Sequence, residues 1–460
     1  MMSKRIEQDA RGHQEVPGEV YWGVHTGRAL ANFQISALKV SHGLITAFAK
    51  VKKAACEANA ELGFLPQDKA RAVRQACDEL MDGKFAEQFQ LDALQGGAGT
   101  STNMNVNEVL ANRALEILGA PRGDYAVIHP IEDVNRHQST NDTYPTALKI
   151  AAIEGFRRLS GEIANLQGVF QKKEKEFADV VTIARTELQE AVPITLGAEF
   201  ASFAEAFARD RWRAFKCEER LRVINLGGTA VGTGLGAPRS YIFLVIEKLN
   251  QISGLGLCRG ENMIDQTANT DTFVEVSGIL KAHASNLVKV ANDLRLLSAL
   301  GEVELPKLQA GSSIMPGKVN PVILEAVIQA GIKAMANDVI VAETTSRSTL
   351  QINEFMPLLA YALLESLDIL IQANKHLAGY VEGIRADKER CRWYAEHSET
   401  IVTAFLPHIG YDKAGELIKE FRAGAEKNLR VFLDQKLGTE LVQKVLSPAS
   451  LNSLGYRNHE

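Results

Sequence analysis

The sequence predicts an all-α fold organised around a central bundle of long helices. Proline disrupts helix interiors, and four of the proline-free intervals of the chain are candidates for long helices. These intervals run between Pro145 and Pro193, Pro238 and Pro306, Pro321 and Pro357, and Pro357 and Pro407. Within them, apolar residues recur at steps of three and four, the spacing of one helix face. The clearest stripes are Ile153, Phe156, Leu159, Ile163, Leu166 and Phe170, and Leu280, Leu287, Val290, Leu294 and Leu297.

Chain length and helix length together predict three domains. At 460 residues the chain exceeds what one small core needs. Helices of about thirty residues span roughly 45 Å, which indicates a bundle shared between subunits. Residues 1–134, broken by Gly-rich and Asn-rich turns, are predicted to form an N-terminal helical domain. Residues 135–390 are predicted to form the long-helix domain, and residues 391–460 a small C-terminal helical domain.

The composition excludes several classes of partner. The chain is 46% hydrophobic and 23% charged, with a net charge of −5 and no long run of Lys or Arg, so nucleic acid is not an expected partner. The sequence shows neither a signal-peptide pattern nor an uncharged apolar run of membrane-spanning length. Five scattered cysteines without CxxC spacing indicate reduced thiols rather than a zinc site or a disulfide framework. These features predict a cytoplasmic protein without a membrane partner.

A glycine-rich segment, GGTAVGTGLGAP at 227–238, is not predicted to bind a dinucleotide. Its spacing is GxGxG rather than GxGxxG, and it follows a helical pattern rather than a strand. A turn between two helices is the better interpretation.

Polar segments at predicted helix ends carry the chemistry. They are the opening stretch, GGAGTSTNMN (96–105), HQSTND (137–142), ARTELQEAVP (184–193) and the loop GSSIMPGKVNP (311–321). They supply neutral donors, one cation and one further amide: Thr100, Ser101, Ser139, Thr140, Asn141, Thr186, Ser312, Ser313, Lys318 and Asn320. Helix capping alone would explain any single segment. Taken together, however, neutral donors around one fixed cation suit a small dicarboxylate. His129 and His137 lack metal-ligand partners at suitable spacing, so we predict structural roles for them and no metal site.

The loop GSSIMPGKVNP resembles the signature loop of the aspartase/fumarase superfamily. The other polar segments fall in that family's order, and the resemblance extends from RIEQDARGHQEVP near the start to PHIGYDKA near the end. It implies a homotetramer whose long helices form one core and whose active sites each take segments from three subunits. It also implies reversible anti-elimination from a substituted succinate, giving fumarate plus water, ammonia or an amine. The resemblance implies no organic cofactor, and activation by a divalent cation, as in some aspartases, stays open.

The resemblance also assigns roles to residues of this chain. Ser312 would be the general base, on a lid loop (311–321) that Gly311 and Gly317 allow to close. Lys318 and Asn320 would hold one carboxylate of the substrate. The predicted donors to the other carboxylate are Thr100, Ser139, Thr140 and Ser313. Ser101, Asn141 and Thr186 are further predicted substrate-binding residues.

Position 187 bears on the leaving group. GVHT, GGAGTS, STND and LQIN look more like aspartase, whereas DVN looks more like fumarase. Fumarases place a histidine after the RT pair, held by a glutamate that matches Glu325; this chain has Glu187 instead. A carboxylate here would favour a cationic leaving group. Glu187 is therefore a second predicted catalytic residue, with Glu325 behind it. In the alternative interpretation, Glu187 turns away and pairs with Arg185 or another base.

The predicted function is elimination of ammonia from L-aspartate. A lyase for an N-substituted or modified aspartate and a fumarate hydratase remain alternatives. A non-catalytic structural protein on the same fold is disfavoured, because it would not need Ser312, Lys318 and Asn320.

Overall fold

Helices account for most of the computed structural model, which describes residues 4–456. The chain begins with a hairpin of strands β1 (Lys4–Asp9) and β2 (Gly12–Pro17). Four helices follow: α1 (Val24–Asn32), α2 (His42–Glu61), α3 (Gln67–Met81) and α4 (Thr100–Ile117). A π-helical turn (Pro130–Val134) precedes the longest helix, α5 (Thr140–Glu176).

The middle of the chain alternates long helices with short strands. Its elements are β3 (Val181–Thr186), β4 (Gln189–Thr195), α6 (Leu196–Leu221), β5 (Val223–Ile224), α7 (Arg239–Ser253), β6 (Cys258–Arg259), α8 (Met263–Ala268), α9 (Asp271–Leu300), β7 (Val303–Glu304), α10 (Val322–Ser346) and α11 (Met356–Glu382). The C-terminal elements are β8 (Arg385–Ala386), α12 (Lys388–His397), α13 (Leu406–Ile409), α14 (Tyr411–Ala423), α15 (Leu429–Leu437), α16 (Thr439–Val445) and α17 (Pro448–Leu451).

The predicted long helices are confirmed. Helices α5, α9, α10 and α11 contain 37, 30, 25 and 27 residues and lie largely within the four proline-free intervals, although α5 includes Pro145 and α11 includes Pro357. The apolar stripes on α5 and α9 are buried, as their spacing predicts. Sequence reasoning did not single out α6, a helix of 26 residues between Pro193 and Pro238.

Two predicted details are wrong, although the fold is helical as expected. The segment ARTELQEAVP was placed at a helix end, but it forms most of the antiparallel β3–β4 hairpin. The opening stretch also forms an antiparallel hairpin, in which Lys4 pairs with Pro17 and Asp9 with Gly12. Their apolar alternation is weak, which explains why a period of two was not visible in the sequence.

The chain forms two compact units, and each draws on several parts of the sequence. The first comprises residues 4–159, 213–282 and 333–370. In it, α2 packs against α3 and α7, and α3 packs against α4. The glycine-rich segment 227–238 lies in this unit between helices α6 and α7, as predicted.

The second unit comprises residues 160–212, 283–332 and 371–456. One part of its core is aromatic: the Phe170 ring lies 5.5 Å from Phe207 and 5.7 Å from Phe203, measured between centroids. A separate apolar cluster centred on Phe405, Leu429 and Leu433 joins the C-terminal helices. The β3–β4 hairpin packs against α12 and the 3-10 segment Glu399–Phe405.

Helix α11 is long and apolar enough to cross a bilayer, but 67% of its most apolar window is buried within the protein. A buried core helix meets the same criterion of length and composition.

Candidate active site

The start of α4 is set by three residues in the left-handed backbone region. Gly97, Ala98 and Gly99 have φ values of 83°, 54° and 90°. A Cβ atom at Gly99 would overlap the ring of Tyr144, so this position requires glycine for both its backbone and its neighbour. The turn leads directly into Thr100, whose hydroxyl donates to the Gly97 carbonyl at 2.8 Å. Thr100 is exposed and Ser101 half-buried at the first turn of the helix.

The start of α5 is fixed by a capping arrangement. The Ser139 N–H donates to the Asp142 carboxylate at 3.0 Å, and the Asn141 N–H donates to the Ser139 hydroxyl at 3.2 Å. The same carboxylate accepts the N–H groups of Gly227 and Thr229 from the glycine-rich segment. Burial raises the pKa of Asp142 to about 6, although the three backbone N–H donors oppose that shift.

A proline inside α5 is compensated by an amide from another segment. Pro145 has no N–H to donate to the carbonyl of Asn141, four residues earlier. The side-chain amide of Asn225 donates to that carbonyl instead, at 3.0 Å. The side chain of Asn141 is held separately, by donation to the Ala230 carbonyl at 2.7 Å. Asn141 is therefore held at both its carbonyl and its side chain by groups outside its own helix.

Asn103 joins the two helix starts. Its Nδ2 donates to the Thr140 Oγ1 at 3.2 Å, and its Oδ1 accepts from the Thr143 hydroxyl at 3.3 Å. Because Thr140 receives that bond on its oxygen, its own hydroxyl proton is available to a ligand. The structure thus brings five predicted residues to two neighbouring helix starts, and we call them the helix-start set: Thr100, Ser101, Ser139, Thr140 and Asn141.

The β3–β4 hairpin turns at Glu187 and Leu188. Thr186 pairs with Gln189 across the turn, and the two central residues have φ values of 52° and 63°. This is the backbone of a type I′ turn, which normally uses Asn or Gly. Glu187 is exposed, and Leu188 is 72% exposed. Two strained residues at a hairpin tip are typical of functional segments.

The alternative pairing of Glu187 with Arg185 is not observed, because Arg185 pairs with another carboxylate. The Arg185 guanidinium donates to the buried Glu302 carboxylate at 2.8 Å and stacks on the Tyr394 ring, 4.6 Å from its centroid. Among residues 4–456, Glu187 has no ion-pair partner. Its carboxylate is therefore presented to solvent at the turn.

The loop 311–321 closes on itself. The Gly311 N–H donates to the Lys318 carbonyl at 2.7 Å, and the Asn320 amide donates to the Gly311 carbonyl at 3.0 Å. A Cβ at Gly311 would lie 2.9 Å from both the Lys318 carbonyl oxygen and the Asn320 nitrogen, which belong to the facing backbone segment. Gly311 is therefore required for the close approach of two backbone segments. Of the two glycines in this loop, Gly317 is the one with a positive φ, 85°.

Ser312 accepts two backbone hydrogen bonds inside this loop. The N–H groups of Ile314 and Met315 lie 3.2 Å and 2.9 Å from its Oγ. Ser313 and Lys318 are exposed, and no ion pair engages Lys318 within the described part of the chain. Glu325 lies half-buried in the first turn of α10. We call the residues of the hairpin turn and this loop the loop set: Thr186, Glu187, Ser312, Ser313, Lys318 and Asn320.

The two histidines have the structural roles predicted for them. The His129 Nδ1 accepts the N–H groups of Ile131 and Glu132 and so caps the π-helical turn. The His137 ring contacts the rings of Phe64 and Tyr241, and its Nδ1 lies 2.7 Å from the Asn59 Oδ1.

Sequence reasoning missed the residues that hold the helix-start set. Asp142 was visible as the fourth residue of a Ser-x-x-Asp capping pattern. Asn103 gave no separate signal, because it lies among other polar residues at the start of α4, TSTNMN. Within residues 4–456, no group of three or more His, Cys, Asp or Glu side chains is arranged to hold a metal ion.

Comparison with known proteins places these segments in one family. Residues 12–336 match the family described as lyase. The chain is 44% identical to the aspartate ammonia-lyase of Helicobacter pylori over 458 residues, 98% of each chain. It is 41% identical to the aspartate ammonia-lyase of a Bacillus species, again over 98% of each chain.

Solved structures agree with the sequence matches. A fumarate lyase:delta crystallin from Brucella melitensis, crystallised with cobalt, superposes with a TM-score of 0.93 at 45% identity, covering 97% of this chain and 99% of that one. A class II fumarase from Schistosoma mansoni gives a TM-score of 0.89 at 29% identity, covering 97% and 98%.

Proposed function

This chain belongs to the lyase family, and we propose that it eliminates ammonia from L-aspartate to give fumarate. Full-length identity of 41–44% to aspartate ammonia-lyases supports this reaction over the hydration catalysed by fumarases. The fumarase neighbour has the same fold at lower identity, 29%. A carbon–nitrogen lyase is therefore the activity that the family relationship favours.

The observation that supports the mechanism most directly is the environment of Ser312. A serine hydroxyl is a weak base unless its oxygen is stabilised in the negative form. Two backbone N–H groups already point at the Ser312 Oγ, at 2.9 Å and 3.2 Å. Hydrogen bonds to a charged oxygen favour that charge. The loop itself therefore supplies part of the activation that this base requires.

The reaction proceeds in two steps. With its hydroxyl proton first released to solvent, the Ser312 oxygen takes a proton from the carbon next to one carboxylate, and the resulting charge spreads onto the oxygens of that carboxylate. The helix-start set supplies neutral donors to those oxygens, with Thr140 already oriented to donate. Because these donors hold the carboxylate in the substrate and in the intermediate alike, their loss should weaken binding more than turnover. The carbon–nitrogen bond then breaks, and its electron pair leaves with neutral ammonia as the double bond of fumarate forms.

Lys318 would pair with the second carboxylate. Its ammonium group is exposed and carries the fixed positive charge of the loop. The Asn320 amide uses one hydrogen to close the loop at Gly311 and keeps a second for the substrate. This division gives each substrate carboxylate a different set of partners.

The chemistry of departure and the residue at position 187 both favour ammonia over water as the leaving group. A substrate ammonium departs as a neutral molecule, whereas hydroxide must be protonated as it leaves. Glu187 at the hairpin turn offers a carboxylate that attracts the ammonium group. The same carboxylate keeps an N-substituted aspartate as the second candidate substrate, because the turn is exposed and would accommodate a larger amine.

A homotetramer would bring the two sets of residues into one site. Large apolar side chains on the long helices support self-association, since Leu296, Ile332 and Val339 are 43%, 56% and 59% exposed. We propose that each site combines segments of different subunits and that the enzyme works in the cytoplasm. Activation by a divalent cation remains a prediction, and no step above uses a metal.

The test compares L-aspartate, N-methyl-L-aspartate and L-malate as substrates, with fumarate followed by its ultraviolet absorbance. Formation of fumarate from aspartate alone is the expected result. Formation of fumarate from malate would contradict the inference that Glu187, in place of the fumarase histidine, disfavours the release of water. Fumarate from the N-methyl substrate alone would shift the reaction to the second candidate.

A further inference from the structure

Lys52 lies in the middle of α2 and has no exposed surface. Its neighbours Lys50 and Lys53 are half-buried and form ion pairs with Glu154 and Asp78. Lys52 instead directs its Nζ at two neutral oxygens, the Asn135 Oδ1 and the Gln138 Oε1, each at 2.9 Å. Complete burial of a lysine without a carboxylate in contact is costly, which calls for a functional reason.

The two amides that Lys52 contacts lead directly to the helix-start set. The Asn135 Oδ1 also accepts from the Asn103 Nδ2, at 3.1 Å. The same Nδ2 donates to the Thr140 hydroxyl oxygen. Lys52 is thus connected to Thr140 through two amides.

The second route runs through Gln138, the residue before Ser139. While its Oε1 accepts from Lys52, its Nε2 donates to the carbonyls of Val134 and Arg136, at 3.0 Å and 3.2 Å. The side chain therefore folds back and braces the segment that delivers Ser139.

Lys52 contributes to the orientation of both amides, together with the Asn135 Nδ2 donation to the Gln138 carbonyl at 3.2 Å and the Asn107 Nδ2 donation to the Asn135 Oδ1 at 3.1 Å. An amide can rotate to exchange its oxygen and nitrogen, but a group that offers N–H bonds selects the oxygen. Once Asn135 presents its oxygen, Asn103 must present its nitrogen, and this nitrogen then also faces Thr140. Burial lowers the pKa of Lys52 to about 7, with the Asp142 charge opposing the shift. At least two N–H bonds remain in either protonation state, so the orientation does not depend on pH.

We propose that Lys52 is a positioning residue for substrate binding, which orients Asn135 and Gln138 so that Thr140 donates its hydroxyl proton to the substrate carboxylate. The proposal rests on the proposed function only in taking Thr140 as a substrate contact. Lys52 touches neither substrate nor reacting atoms, and it acts through the amides.

The test measures KM and kcat for L-aspartate in Lys52→Met, in the control Lys53→Met and in Thr140→Val. Loss of one correctly placed hydrogen bond corresponds to about a tenfold change. We expect Lys52→Met to raise KM about tenfold with kcat changed less than about threefold. Lys53→Met, which removes a partly exposed ion pair one residue away, should change KM less than about twofold.

The double variant Lys52→Met/Thr140→Val tests the route. If Lys52 acts through Thr140, its effect on KM should shrink to less than about threefold once the hydroxyl is absent. Fold-changes that multiply, or a normal KM in a folded Lys52→Met enzyme, would overturn the proposal.

Gln138→Met and Lys52→Gln provide a check should Lys52→Met fail to fold. Gln138 is only half-buried, so its loss is tolerated more easily, and we expect KM to rise in Gln138→Met. Lys52→Gln still offers N–H bonds at this position, so its KM should lie closer to that of the wild type. A normal KM in Gln138→Met, together with a KM in Lys52→Gln that stays as high as in Lys52→Met, would contradict the proposal. Binding of fumarate, measured by calorimetry in the same variants, reports the same effect without turnover. A wild type that binds fumarate but leaves aspartate intact would refute the proposed reaction and leave the positioning test valid.

Discussion

The helix-start set and the loop set are built in opposite ways. Ser139, Thr140 and Asn141 are buried or half-buried, and bonds with α4 and with residues 225–230 hold Thr140 and Asn141. In the loop set, by contrast, Ser312 and Asn320 bond only within their own loop, and Ile314 beside them is 83% exposed. The first set is preorganised by contacts with other segments, while the second is held only by contacts within its own loop and hairpin.

This difference assigns different tasks to the two sets. Donors that are already fixed lose little entropy when a carboxylate binds, which suits recognition. A base on a self-contained exposed loop can approach the substrate after binding and exclude water. Changes in the loop set should therefore affect turnover, and changes near the helix-start set should affect binding or stability.

Ser312→Ala should give the largest effect. Loss of a general base lowers turnover by about 10²- to 10⁴-fold, while the helix content and melting temperature should stay the same because the loop is exposed. Steady-state kinetics with L-aspartate and circular dichroism measure the two quantities. Ser346→Ala, at the exposed end of α10, is the matched control and should retain normal turnover. Near-normal activity of Ser312→Ala would show that the base is assigned wrongly.

Gly99→Ala should be the most destabilising change near the helix-start set. Overlap with the Tyr144 ring and a φ of 90° together should cost roughly 2–4 kcal/mol. Gly63→Ala is the matched control, because its φ is 78° but no atom lies within 4 Å of the added Cβ. The difference between the two melting temperatures isolates the overlap. Equal losses would mean that Tyr144 moves aside freely and that this helix start is less rigid than its contacts indicate.

The stability of the folded protein should depend on pH through Glu199, in the first turn of α6 after the β3–β4 hairpin. Burial, followed by the neighbouring carboxylates Glu302 and Asp293, raises the pKa of Glu199 to about 7. The folded protein therefore holds this proton up to a higher pH than the unfolded chain does. The associated stability is present below about pH 4.5 and is lost as the pH rises through 7.

Glu199→Gln should remove that loss. We expect the variant to melt a few degrees above the wild type at pH 8 and within about one degree of it at pH 5. Scanning calorimetry at both pH values measures the shift, and Glu205→Gln, exposed on the same helix, is the control. A gain of equal size at both pH values would assign the effect to packing rather than to the proton.

The same contrast explains what the sequence could and could not predict. The helix-start set was predictable because Ser, Thr and Asn at helix starts have a local chemical reason. The loop was recognisable by its spacing, but the role of Gly311 came only from the approach of two backbone segments in space. Lys52 could not be predicted, because KVKK reads as an exposed basic run and only the packing of α2 shows which lysine is inside. The hairpin was missed because Glu187 and Leu188 give no turn signal.

Leu188→Gly should give the smallest effect and tests the strain at the hairpin turn. Glycine relieves the left-handed backbone at φ 63° but adds freedom to the unfolded chain, so the net gain should be about 0.5–1 kcal/mol. Leu235→Gly is the control: this residue is 83% exposed and lacks a positive φ, so only the entropic cost should appear. If the strain serves to present Glu187, the stabilised variant should turn over aspartate more slowly despite its higher melting temperature. A variant that gains stability and keeps its full rate would show that the strained turn is not needed for catalysis. Ser312 would then be the catalytic residue of the loop set.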